Sequence, residues 1–367
     1  MTEKKYTIPH LPLPYDLETK AVLKQLNLAN KKLAELKGVA LTIPNENILI
    51  STLTLQEAKE SSSVENIVTT QDDLFKEDLD IKDQISNAAA KEVLNYRRAM
   101  QTGFDLAKKN KLLTCNIIQQ IQSELESNRA GFRTVPGTQL KNSLGEIVYT
   151  PPQEYDEIIK LMNNLEMFIN DDSLSDLDPL IKLAIVHHQF ESIHPFFDGN
   201  GRTGRIINIL MLVINDLLDL PILYLSRYIT RNKGKYYQLI QAVRDKEGDN
   251  SKEWEEWILF VLKGIEETSE ETIILIKSIS ALMGTYKTKL RGLLGNKYKH
   301  DLLNNLFRHP YTKIEFVEKD MLVTRQTASK YLDKIVGIGL LSKTKLGKDN
   351  YYINDALCEL FINQGHV

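Results

Sequence analysis

The sequence predicts a mainly α-helical fold with a β-hairpin near its middle and a winged helix-turn-helix at its end. Apolar residues recur at helical spacing through most of the chain, as at Leu23, Leu26, Leu33 and Leu36. The stretch 131–152 breaks that pattern with β-favouring residues set among turn formers. The last ~70 residues alternate as helix, turn, helix and two short strands.

Pro9, Pro12 and Pro14 favour an extended N-terminal arm. Helices are expected over 17–36 and 48–59, separated by Pro44. Ser61 to Ser63 reads as a polar break before Val64-Glu65-Asn66-Ile67. An Ala- and Leu-rich helix should follow at 87–109, and another helix at 114–126. The hairpin would use Arg133-Thr134-Val135 and Ile147-Val148-Tyr149, with turns at Pro136-Gly137 and around Asn142 to Gly145. Helical patterns resume at 155–170 and 179–190. A glycine-rich break at 198–204 precedes an apolar helix beginning at Arg205, and further helices are expected over 235–244 and 253–287. The terminal module would comprise helices at 300–307, 314–319 and 325–337, the last capped by Thr324. Gly347-Lys348-Asp349-Asn350 would be its wing tip. Three units result: an N-terminal helical segment (1–84), a central catalytic domain (85–284) and the winged module (285–367).

Composition bounds the function. Of 367 residues 42% are hydrophobic, enough for a sizeable core, and the net charge of -3 gives no overall sign of nucleic-acid binding. The balance is uneven: 285–367 holds 14 Lys+Arg against 8 Asp+Glu, a local +6, which hints at a separate partner for this end. Cys115 and Cys358 form neither a metal pattern nor a disulfide framework, so a reducing compartment is expected. The most apolar stretch, 206–225, contains Asn208, Asn215, Asp216, Asp219 and Pro221, which suits a buried helix better than a membrane span. The expectation is a soluble, cytoplasmic protein without a membrane partner.

The chemistry concentrates between His194 and Arg205. A His, an Asp, an Asn and two Arg stand around Gly199, Gly201 and Gly204. Glycines let a backbone turn tightly and present its N–H groups, and such a run at a helix start forms an anion nest. Arg202 and Arg205, three apart, can both reach phosphates. Asp198 can hold a divalent cation whose remaining ligands come from phosphate, and His194 can act as a general base. A phosphate-handling transferase or hydrolase follows from these residues.

The segment 194–205 resembles the Fic signature, His-x-Phe-x-Asp/Glu-Gly-Asn-Gly-Arg-x-x-Arg, with every specified position filled. The resemblance extends over about 87–262, including Ala184, His188, Phe190, Glu191 and Ile193 before the loop and Leu225 to Ile229 after it. It implies a helical Fic core with a β-hairpin flap and a protein adenylyltransferase. AMP would pass from ATP to a Ser, Thr or Tyr hydroxyl, releasing pyrophosphate. By the same resemblance His194 removes the hydroxyl proton and Asp198 holds Mg²⁺. Gly199, Asn200 and Gly201 cradle the phosphates, Arg202 and Arg205 support the β- and γ-phosphates, and Tyr236 or Tyr237 lines the adenine pocket. His187 and His188 are read as helix-packing residues. Doc-like phosphotransferring relatives have Ala where Asn200 stands, which favours AMP transfer.

Ser61-Ser62-Ser63-Val64-Glu65-Asn66 resembles the family's inhibitory motif, Ser/Thr-x-x-x-Glu-Gly/Asn. Ser61 and Glu65, four apart, would share a helix face. The resemblance implies that Glu65 pairs with Arg205 and denies it to the γ-phosphate. The hairpin occupies the family's flap position but carries Pro136-Gly137-Thr138-Gln139-Leu140-Lys141-Asn142 in place of the commoner Gln-Asn-Trp-Ile-Gly. A flap can hold a target strand through backbone hydrogen bonds. The partners implied are ATP and a target protein, which includes the chain itself, with a homodimer and DNA left open. Lys343, Lys345 and Lys348 could serve DNA phosphates. Two alternatives stand beside AMP transfer: a DNA-binding regulator whose core senses nucleotide, and a Fic enzyme that moves another phosphate-containing group.

Overall fold

Two helices that are apolar on nearly every side fix the centre of the molecule. α6 (Pro179–Ile193) and α7 (Asn200–Ile214) bury almost all their residues, and such helices are stable only when surrounded. The computed structural model describes residues 6–70, 73–74, 77, 87–142, 144–346 and 349–362. Around the pair pack α3 (Ala88–Asn110), α4 (Cys115–Glu126), α5 (Tyr155–Asn170) and the long α10 (Ser251–Leu294). α8 (Leu225–Arg231) and α9 (Lys233–Asp245) close the side next to α10. Trp254 and Trp257 on α10 are fully buried; the Trp257 indole donates to Ala184 O on α6 at 2.8 Å.

α1 (Lys20–Ala40), capped by Thr19, lies along α10. α2 (Glu46–Val64), capped by Asn45, packs against α3 and α8. The expected break at Ser61 to Ser63 is instead helix, with Ser61 and Ser62 buried. Tertiary contacts to Arg205 override the weak helix preference of serine here. The glycine-rich break is likewise shorter than expected, because α7 begins at Asn200 and takes in Gly201 and Gly204. The apolar run 206–225 does not make one helix. α7 stops at Ile214, Asp216 turns left-handed (φ 53), and the chain re-enters helix only at Leu225.

The hairpin consists of β1 (Leu140–Lys141) and β2 (Ile147–Tyr149), antiparallel with an irregular register. Beyond α10 come α11 (His300–Arg308), β3 (Tyr311–Lys313), α12 (Ile314–Met321), α13 (Arg325–Gly337), β4 (Ser342–Leu346) and β5 (Asp349–Ile353). The antiparallel sheet order β3-β5-β4 is that of a winged helix-turn-helix. A terminal α14 (Asp355–Ile362), not expected from the sequence, packs on α10. The boundary expected at 284/285 falls inside the 44-residue α10, so one helix joins the core to the winged module. The boundary at 84/85, and the wing-tip residues Gly347 and Lys348, lie outside the described residues. Among the described residues no helix is long and apolar enough to cross a membrane.

Gly103 sits where α3 crosses α4 and α7. A Cβ there would stand 2.8 Å from Leu210 Cδ1 and 2.9 Å from Ile121 Cδ1. Gly103→Val should therefore destabilise the fold by about 1–3 kcal/mol through overpacking. A lowered thermal midpoint is expected; an unchanged one would show that the crossing relaxes.

Candidate active site

The turn from α6 into α7 gathers the candidate residues. His194 follows the last turn of α6 in a left-handed conformation (φ 49), which directs the chain sharply away from the helix. Asn200 closes the turn: its side chain accepts from Phe196 N (2.8 Å) and donates to Phe196 O (2.9 Å). Asn200 thus shapes the loop with its amide. Gly199 supplies the second left-handed position (φ 76), and a Cβ there would overlap the Glu126 carboxylate. Asp198 is exposed beside the start of α7, with Oδ1 accepting from Gly199 N at 2.7 Å.

The sequence reading missed Arg133, which locks this turn from the flap side. It is 1% exposed and its Nε donates to His194 O at 2.9 Å, while Nη2 donates to Pro152 O. The backbone N–H of Arg133 also donates to Pro195 O at 2.8 Å. A cation amid a β-favouring segment was the only sequence signal for it. Burial, followed by the Arg244 and Arg133 charges, pushes the His194 imidazole down to about 3, so it is neutral and able to accept a proton. His194 Nδ1 is buried, which leaves Nε2 as the nitrogen that can meet a substrate.

Both signature arginines are buried and paired. Arg202 donates to Glu92 Oε2 (3.1 Å) and Glu126 Oε1 (2.9 Å). Arg205 donates from Nε to Ser61 Oγ (2.7 Å) and from Nη2 to Ser61 O (3.0 Å) and Glu65 Oε1 (2.9 Å). Burial acts to raise the Glu65 carboxyl, but the Arg205 guanidinium outweighs it and holds the group below the usual carboxylate range. A Cβ on Gly201 would overlap Glu65 Oε1, so this glycine lets the carboxylate settle onto the first turn of α7. Asn66, at the last position of the Ser61–Asn66 motif, ends α2 in a left-handed conformation (φ 63) that Gly or Asn adopts most readily. Lys233 Nζ donates to Asn66 Oδ1 at 2.8 Å and fastens this end.

The two tyrosines part company. Tyr236 is 2% exposed, with its hydroxyl 2.9 Å from His187 Nε2, and belongs to the core behind the site. Tyr237 is 46% exposed and lies within electrostatic reach of Glu65 and Arg205, so of the pair it can line an open pocket. His187 and His188 are fully packed, as their helical setting suggested.

Comparison with known proteins gives matches along most of the chain. The family model described as Fic/DOC family N-terminal matches residues 23–105, and that described as Fic/DOC family matches 112–212. Residues 282–357 match the C-terminal domain of protein adenylyltransferases described as SoFic-like. The chain belongs to the Fic/DOC family. A protein adenylyltransferase Fic of Drosophila erecta is 30% identical over 158 residues, covering 40% of this chain and 29% of the relative. A probable protein adenylyltransferase of Aquifex aeolicus is 27% identical over 198 residues, 53% of this chain and 55% of that one. The chain thus aligns with about a third to a half of these relatives' length. Among solved structures, a Fic family protein from Desulfovibrio desulfuricans G20 superposes with a TM-score of 0.59 at 18% identity, covering 93% of this chain and 97% of that one. Fic-1 from C. elegans gives 0.53, also at 18% identity, over 70% and 73%. These superpositions share the Fic fold along most of the chain.

Glu57, which seats α2 behind the site, was not anticipated. Glu57, Ser61 and Glu65 follow one another at four-residue intervals and so face the core in one stripe. Glu57 is 1% exposed; it accepts from Tyr96 Oη (3.1 Å), from Ser226 N (3.2 Å) and from Ser226 Oγ. Burial pushes its carboxyl up to about 8, against those hydrogen bonds and the Arg205 charge. A raised folded-state value means that the folded protein holds this proton where the unfolded chain has lost it. Its contribution to stability is present at low pH and is lost as pH rises from about 4.5 towards 8. Glu57→Gln removes that dependence. Its stability relative to the parent should therefore improve between pH 5 and 8, measured by denaturant titration. A difference that is flat with pH would show that Glu57 is already ionised in the fold.

Proposed function

We propose that this Fic protein transfers AMP from ATP to a Ser, Thr or Tyr hydroxyl of a protein, and that Glu65 restrains it. The observation that carries the reading is the shared setting of His194, Asp198, Arg202 and Arg205 around the N-terminus of α7, with a carboxylate already seated on Arg205. An N-terminus with two buried guanidinium groups is a place for several phosphate oxygens. Glu65 occupies one such place.

In the proposed reaction the target oxygen bonds to the α-phosphorus, its proton passes to neutral His194, and the bond to pyrophosphate breaks. The N–H groups opening α7, together with Arg202 and Arg205, stabilise the charge that builds on the phosphates. A single exposed carboxylate, Asp198, suits Mg²⁺, an ion that takes its remaining ligands from nucleotide phosphates and water. When bound, that ion would offset phosphate charge. DNA binding has less support: Lys343 is engaged by Asp333 at 2.8 Å and Lys319 by Glu315 at 2.9 Å.

With ATP labelled at the α-phosphate, protein should become labelled; label arriving only from the γ-phosphate would overturn AMP transfer. His194→Ala should lower the rate about 10²–10⁴-fold while ATP still binds. Native-rate transfer by that variant would remove His194 as base. Glu65→Gly should raise self-labelling or target labelling about ten- to a hundredfold, because it frees Arg205 to orient the γ-phosphate. Arg205→Ala releases Glu65 too but loses the phosphate contact, and should not activate. Equal rates for the parent and Glu65→Gly, across ATP and Mg²⁺ concentrations, would end the inhibitory reading.

A further inference from the structure

Arg202 is outnumbered by carboxylates. Its side chain is 5% exposed and both tips of its fork are taken, Nη1 by Glu92 of α3 at 3.1 Å and Nη2 by Glu126 of α4 at 2.9 Å. Asp198 lies within electrostatic reach of Glu126, and Gln122, one turn before Glu126 on α4, donates to Asp198 O at 3.3 Å. One cation thus faces three carboxylates. Glu92 is 45% exposed, so water screens it; Glu126, at 14%, keeps more of its field.

Nothing local to α4 favours a carboxylate at Glu126. It is the last residue of the helix, where the carbonyl end disfavours negative charge. It also presses on the catalytic turn, since a Cβ on Gly199 would overlap its Oε1. Glu65 reaches the other signature arginine from α2, whereas Glu92 and Glu126 belong to helices packed on α7, so removing Glu65 leaves them in place. An excess of negative charge beside a phosphate cradle sorts anions by their charge. A nucleoside triphosphate without metal is repelled. The same nucleotide carrying Mg²⁺ has less net charge and brings a cation that these carboxylates attract.

We propose that Glu126 is a specificity residue that makes this site take the magnesium complex of ATP and reject the metal-free nucleotide. The proposal rests on the reading that nucleotide phosphates meet Arg202. Glu126 spends part of the Arg202 charge and adds its own beside Gly199, so phosphate binding here depends on the cation that arrives with it. No direct contact with that cation is required, because charge acts over several ångströms. Selection comes from repelling the wrong form of the nucleotide.

The test uses the full chain with Glu65→Gly, so that Arg205 is released, and α,β-methylene ATP, whose α–β bridge cannot break to transfer AMP. Dissociation constants are measured by calorimetry in excess Mg²⁺ and in chelator, and their ratio is compared between variants. Glu126→Gln keeps an acceptor for Arg202 and removes the charge. It should tighten metal-free binding about tenfold or more and change binding of the magnesium complex by less than about threefold. Glu124→Gln, exposed on the same helix, should leave the ratio as it is. An unchanged ratio in folded Glu126→Gln overturns the proposal, as do equal changes in both constants or the same shift in Glu124→Gln. If Glu126→Gln does not fold, Glu92→Gln decides: a smaller shift in the same direction is expected, and none overturns the proposal. Because binding is read with a nucleotide that cannot transfer, the shift without α-phosphate labelling by ATP would sink the AMP reading and leave the selection standing. Labelling with an unchanged ratio would do the reverse.

Discussion

A buried guanidinium must have a partner, and Arg205 governs how the site is arranged. It is 2% exposed, in the second turn of an apolar helix, where neither water nor displacement of the chain can relieve its charge. Ser61 and Glu65 supply that relief. The requirement is chemical and not specific to a carboxylate: any group with oxygen acceptors and negative charge can satisfy it. A terminal phosphate meets the same description. On the proposed reading the fold thus offers one cation to two claimants, and the identity of the occupant would separate a restrained site from a working one. Removing both would leave the cation buried alone, a costly state.

The turn that presents His194 depends on a different economy of bonds. A left-handed residue after a helix gives up regular backbone pairing, and its carbonyls need donors. Arg133 reaches His194 O and Pro152 O from the flap side, and Asn200 ties Phe196 at both its N–H and carbonyl. Flap and catalytic turn are thereby one unit. The charge of Arg133 has a second effect: burial first, then the charges of Arg244 and Arg133, push the His194 imidazole down and keep it neutral. Arg133 thus both ties the turn and adds to the influences that keep His194 unprotonated.

The helical class, most element positions and the signature residues were legible because they are local patterns. Helical periodicity gave α1, α3, α4, α5 and α6 to within a few residues, and the spacing of His194, Asp198, Arg202 and Arg205 is contained in one turn and a helix start. What stayed hidden depends on partners distant in sequence. Ser61 to Ser63 looks like a break until Arg205 is placed against it. Gly201 and Gly204 look like loop glycines, yet they lie in α7, where Glu65 and Glu191 approach so closely that a Cβ has little room. Glu57 resembles any solvated helix carboxylate until Tyr96 and Ser226 enclose it. Tyr236 and Tyr237 are indistinguishable in sequence, and only packing sends one inward and leaves the other half-open.

The stripe Glu57, Ser61 and Glu65 spreads the seating of α2 over three neighbouring elements. Each member meets a different element: Glu57 meets α3 and α8, Ser61 meets α7 through Arg205, and Glu65 rests on the first turn of α7. The first contact is buried and makes no claim on the phosphate site, so it can seat α2 without blocking anything. The last is partly exposed, at the end of the helix, where Asn66 turns the chain away. Seating and blocking are thus divided between residues two helical turns apart. A phosphate that displaces Glu65 from Arg205 need only move the helix end, while Glu57 keeps the rest of α2 against the core. Nearer its N-terminus α2 also packs against α11, where Ser51 Oγ stands 3.3 Å from Arg308 O. On the proposed reading, a nucleotide phosphate would therefore exchange with Glu65 at Arg205 without unseating α2.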